Sequence, residues 1–124
     1  MDIAQLARGQ AVNRVAIGAG LVLAPGVLAR VWIGDWAKDD RAKVLARSLG
    51  VRDLALGAAG VLAVREENRE WIRRTFAAQA LADAVDFLVL AAAPKVPLAS
   101  RLLGGAMAAG SAAVAAAYAR EPGA

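Results

Sequence analysis

Arg52, Asp53, Asp83 and Asp86 stand inside runs that are otherwise apolar, and they are the residues that could carry chemistry. Leu49-Gly50-Val51-Arg52-Asp53-Leu54 surrounds the first two, and Leu81-Ala82-Asp83-Ala84-Val85-Asp86-Phe87 the others. An ionised side chain at the centre of a bilayer helix costs about 2.5–3.5 kcal/mol on insertion scales, so such groups normally pair or line a polar cavity. Two carboxylates three residues apart share one helix face. They suit acid–base work, because like charges held together favour one proton between them. Three roles follow: a buried packing device, a polar cavity for a proton, ion or small molecule, and an acid–base centre. The chain has neither Cys nor His, so thiol catalysis, disulfides, imidazole metal sites and Ser-His triads are excluded. Gly18-Ala19-Gly20 and Gly104-Gly105 follow no strand and precede no Gly-Lys-Ser/Thr, so neither is a phosphate loop. No cofactor and no metal are expected, and a non-enzymatic role leads.

These residues must be positioned by helices. Alternating apolar and polar runs are missing, and the sequence reads as all-α. Four long apolar segments are expected at about 11–33, 44–64, 75–93 and 102–119, forming a four-helix transmembrane bundle within a single domain of 124 residues. Residues 2–10 read as a short amphipathic lead-in with Asp2 as N-cap. Met1-Asp2-Ile3 lacks the basic region of a secretory signal, so the first helix is expected to stay attached. Pro25-Gly26 lies inside the first span and should kink or split it. Arg14 and Arg30 are expected to snorkel at that span's two ends. Trp32, Trp36 and Trp71 fall where an interfacial aromatic belt would be. Asp35–Lys43 and Arg65–Arg74 read as charged connections, and Pro94 and Pro97 bracket a short one at Lys95.

Register sharpens the reading of the charges. In an antiparallel pairing of the second and third spans, Arg52 and Asp86 reach the same depth, roughly 10–12 Å from one interface at 1.5 Å per residue. An Arg52–Asp86 bridge, or a cluster including Asp53 and Asp83, is expected. Phe76, Gln79, Asp83, Asp86 and Leu90 form one inward stripe of the third span. Gly50, Asp53, Gly57 and Gly60 form a stripe on the second, where small residues admit a close neighbour. Gly104, Ala108 and Ser111 offer the same on the fourth. Arg52 and Asp53 lie about 100° apart around their helix, so one faces the third span and the other the first or fourth. Arg47, Gln79 and Arg14 are placed at the cluster's periphery.

Composition supports a membrane setting. Hydrophobic residues make up 59% of the chain, above the roughly 45–50% of soluble domains. Charge is 21% of residues but clustered, and 15–29 and 102–119 carry none. A soluble four-helix bundle is the rival reading, and its helices would need a solvated face, which the first and fourth spans lack. The net charge of +4 is spread among loops between apolar segments, which suits lipid headgroups and not nucleic acid. Seven Lys and Arg fall on each side of the expected topology, so the positive-inside rule gives no orientation.

Leu49-Gly50-Val51-Arg52-Asp53-Leu54-Ala55-Leu56-Gly57, followed by Leu81-Ala82-Asp83-Ala84-Val85-Asp86, resembles a group of small four-helix integral membrane proteins common in actinobacteria. The likeness covers most of the chain, including Arg14 with Gly18 and the Pro25 kink, and Gly-x-Arg-Asp is its sharpest element. More distantly, the layout is similar to the DoxX-like four-helix membrane proteins. The first resemblance implies fold and a multi-pass place in the cell membrane, without activity or functional residues to transfer. The second implies a redox-linked membrane complex, an implication weakened by the lack of Cys. The sequence is thus read as a membrane component, either an assembly subunit or a self-associating scaffold, whose partners are the bilayer and another membrane protein or a second copy. The competing reading is a small transporter or proton-linked carrier, although 1–64 and 65–124 show no repeat.

Overall fold

The computed structural model describes residues 2–33, 35, 38–93 and 95–121. Five helices occupy them: α1 (Ile3–Leu23), α2 (Pro25–Ile33), α3 (Asp40–Arg65), α4 (Arg69–Ala91) and α5 (Leu98–Ala119), with no strand among the described residues. The described residues are all-α, 88% helical.

The first helix starts at Ile3 and takes in the whole of the expected lead-in. Asp2 caps it with a full capping box: its carboxylate accepts from Gln5 N–H at 2.8 Å while Gln5 Oε1 accepts from Asp2 N–H at 3.2 Å. The helix then runs unbroken to Leu23. Pro25 splits the expected first span in two, taking the first position of α2, where its missing N–H costs nothing. The connections are shorter than the sequence suggests. Asp39 caps α3 by accepting from Arg41 N–H at 2.7 Å. Between α3 and α4 only residues 66–68 remain, with Glu67 at φ 53° and Asn68 capping α4. Trp36, Pro94 and the side chain of Trp32 lie outside the described residues.

The four long helices run alternately up and down in a ring, α1 beside α3, α3 beside α4, α4 beside α5 and α5 beside α1, so α1 and α4 face each other diagonally. The closest pairs are α1 with α3 and α4 with α5. Glycine sets the first of these. A Cβ on Gly18 would lie 2.6 Å from Leu54 N and 2.7 Å from Gly50 O, and one on Gly57 would lie 2.8 Å from Ala11 O. Every one of those obstacles is backbone, so the helices touch main chain to main chain. The α4–α5 pair is held by side chains instead. Phe76 and Tyr118 meet edge to face at 4.8 Å, and a Cβ on Gly105 would make only ordinary contact with Phe87 at 3.7 Å.

Two apolar clusters fill the axis. One, built on Ala7, Ala11, Ala63, Ile72, Phe76 and Tyr118, lies at the end where α1 begins and α5 finishes. The other, built on Leu21, Ala29 and Ala46, lies toward the α1–α2 break. Polar side chains occupy the level between them.

Candidate functional site

Five charged residues from three helices form one network at that level. Arg14 of α1 reaches across the bundle axis: its Nη1 donates to Asp53 Oδ1 on α3 at 2.9 Å, and its Nη2 donates to Asp83 Oδ2 on α4. Arg52 of α3 forms a two-pronged pair with Asp86 of α4, Nη1 to Oδ1 at 3.0 Å and Nη2 to Oδ2 at 2.6 Å. Its Nη2 also donates to Asp53 Oδ1 at 3.2 Å. Asp53 therefore accepts from both arginines. The charges alternate in a chain, Asp83–Arg14–Asp53–Arg52–Asp86, which begins and ends on a carboxylate.

Burial grades along that chain. The side chains of Arg14 and Asp83 are each 7% exposed, whereas Arg52 and Asp86 are 32% and 38% exposed. The inner pair is desolvated and the outer one borders the surface. Ion pairs of the first kind lose several kcal/mol if one partner is removed, while exposed ones contribute little.

Arg52 and Asp53 diverge as their 100° offset requires: Arg52 meets α4 and Asp53 meets α1. Arg14 is a correction. It neither snorkels nor sits at the periphery, because the lead-in and the first span form one continuous helix that leaves Arg14 near its midpoint, about 16 Å from its first residue. Gln79 lies one turn from Asp83 and is completely buried; its Nε2 donates to Leu56 O at 2.8 Å, while its Oε1 has no protein partner. Arg47 is outside the network, exposed, with Nε donating to Val22 O at 3.2 Å. A link absent from the sequence reading joins α1 to α5, where Gln10 Nε2 donates to Ser111 O at 3.0 Å. Gln10 lies one turn before Arg14, on the same face of α1.

The arrangement has no nucleophile, and no group of His, Cys, Asp or Glu among the described residues is placed to hold a metal. Two surface pockets lie elsewhere, one at the α1–α2 break and one beside Arg69 and Arg120. The network can hold helices in register, and it contains one more carboxylate than guanidinium.

No protein family, curated protein or solved structure matches the chain.

Among the described residues one helix, Leu98–Ala119, is long and apolar enough to cross a membrane, with mean hydropathy 1.5 over its most apolar stretch. α1, α3 and α4 carry the network's charges within their lengths.

Proposed function

We propose that this chain is a multi-pass membrane protein of the cell membrane, with α1, α3, α4 and α5 as its spans, acting as a non-enzymatic assembly subunit or self-associating scaffold. One observation carries the reading: the bundle places a charged layer between its two apolar clusters and large apolar side chains on its outside. Charge lies at its centre, while Leu23, Val27, Leu45, Leu81, Val89 and Leu102 are each more than 60% exposed. Only 22% of the apolar stretch of α5 is buried, whereas the core helix of a soluble bundle would be mostly covered. The four helices contain 21, 26, 23 and 22 residues, about 31–39 Å at 1.5 Å per residue, enough for a hydrocarbon core of roughly 30 Å. The charges midway along α1, α3 and α4 are paired with one another, as intramembrane charges generally are. The resemblance to small actinobacterial four-helix membrane proteins belongs to the same proposal.

Fractionation tests it. The protein should partition with membranes and resist extraction by high salt and alkali. Recovery as a soluble monomer without detergent would replace the four-span reading with a soluble bundle. A second reading, a small proton- or cation-linked carrier, is favoured by the charge count. Three carboxylates face two guanidinium groups, leaving one excess negative charge on a path that runs from buried Asp83 to half-exposed Asp86. Asp83→Asn that keeps stability but abolishes a substrate or proton flux would favour the carrier over the scaffold.

A further inference from the structure

The break between α1 and α2 opens a pocket of about 420 Å³. Four cations line it, Arg30, Lys38, Lys43 and Arg47, with Pro25 and Val27 contributing to a wall that is mostly apolar. The acidic residues nearby leave most of these cations unpaired. Asp39 caps α3 and pairs with Arg41, and the Arg41 N–H bonded to its carboxylate holds it below the usual carboxylate range. Asp35 meets Lys38 at 3.9 Å, with both side chains well exposed. Asp40 opens the first turn of α3 and does not line the pocket. Among the described residues no carboxylate pairs with Arg30, Lys43 or Arg47. Arg47 is held over the α1 terminus by its Nε bond to Val22 O, which leaves its two terminal nitrogens for another acceptor.

The opposite end of the bundle supplies a contrast. There the pocket bounded by Arg69, Arg73 and Arg120 also contains Glu70 and Glu121, and Glu70 pairs with Arg73 and Arg74 at 2.7 Å each. Two acidic side chains line the pocket at that end beside its cations, whereas no carboxylate lines the pocket at the α1–α2 break.

An apolar wall rimmed by unneutralised cations fits an amphiphile with an anionic head. Val27 in the wall, and Leu23 and Val44 next in sequence to lining residues, are all largely exposed and supply a surface along which a hydrocarbon chain could lie. We propose that this pocket binds the phosphate-bearing headgroup of an anionic lipid, Arg30, Lys43 and Arg47 contacting the phosphate. The lipid source rests on the membrane reading above; the phosphate chemistry of the site does not.

The test uses the full chain in neutral detergent and in nanodiscs, with phosphatidylglycerol, phosphatidylcholine and inorganic phosphate as probes. Phosphatidylglycerol should bind in preference to phosphatidylcholine. Arg30→Gln, Lys43→Gln and Arg47→Gln should each weaken that binding about fivefold, and the triple variant about a hundredfold, at roughly 1 kcal/mol per cation. Arg69→Gln with Arg73→Gln should leave it unchanged. Saturable binding of inorganic phosphate that is lost in the triple variant, without preference between the lipids, would support the site with a soluble ligand. Equal binding of both lipids and no phosphate binding, or selectivity that survives the triple variant, overturns the proposal. A protein that needs no detergent yet loses phosphate binding in the triple variant would sink the membrane reading and keep the pocket.

Discussion

Along the α1–α3 seam the helices meet through main chain, with Gly18, Gly50 and Gly57 leaving no room for a side chain. Between that pair and the α4–α5 pair, beside the apolar cluster around Phe76, the contact is polar at mid-height: Arg14 to Asp83, Arg52 to Asp86, Gln79 to Leu56 O, and Gln10 to Ser111 O. The two seams fail differently. A glycine seam is intolerant of added volume and indifferent to charge, since close-packed backbone cannot give way. A charged seam tolerates small changes of volume and depends on every partner being present, because an orphaned buried charge has no solvent to turn to. One surface thus sets how close α1 and α3 approach, and the other sets which way the two pairs face.

The largest effect should come from the middle of the charged seam. Arg14→Ala leaves Asp53 short of one partner and Asp83 without any, and should lower stability by about 3–5 kcal/mol. Thermal and denaturant unfolding would measure it, and a loss below about 1 kcal/mol would show that the network does not join the helix pairs. Next comes the glycine seam: Gly57→Ala and Gly18→Ala should each cost about 1–3 kcal/mol through backbone overlap. Gly110, where an added Cβ would meet nothing within 4 Å, is the control, and its replacement by Ala should stabilise by up to about 1 kcal/mol. If all three behave alike, the close approach of α1 and α3 is not what the glycines provide.

The outer pair should matter less. Arg52 and Asp86 are about a third exposed, so solvent screens them, and a double-mutant cycle on Arg52→Ala and Asp86→Ala should give a coupling of about 1 kcal/mol. Strict additivity would show that the two are not energetic partners. The smallest effect belongs to the turn joining α3 and α4. Glu67 holds φ 53°, a conformation that favours glycine, and Glu67→Gly should gain less than about 1 kcal/mol. A loss of stability on that change would mean that the Glu67 side chain contributes more than its backbone costs.

How much of this is legible in the sequence depends on which signal each residue leaves. Pro25 announces the split because proline cannot donate the hydrogen bond that a continuous helix needs there. The glycine stripe of α3 is visible as spacing, and matched depth places Arg52 opposite Asp86. Arg14 misleads because its surroundings, with Arg8, Gly9, Gln10 and Asn13, look like the polar start of a span. Asp2 reads as an N-cap, and only the lack of a helix breaker after Gln10 tells that its helix continues into the span. The α1–α5 link through Gln10 and Ser111 leaves no trace, because its acceptor is a backbone oxygen and backbone oxygens have no sequence.

Arg14 also imposes an order in time. Its two carboxylate partners lie 39 and 69 residues further along the chain. At roughly 5–20 residues per second, Asp53 emerges from the ribosome about 2–8 s after Arg14, and Asp83 about 3–14 s after it. Through that interval the first helix exists with an unanswered charge at its midpoint, and must keep it hydrated or shielded. α1 therefore cannot settle into its final surroundings alone. Its placement waits on α3 and α4, and the helices complete their assembly as a set, not one by one in the order of their synthesis.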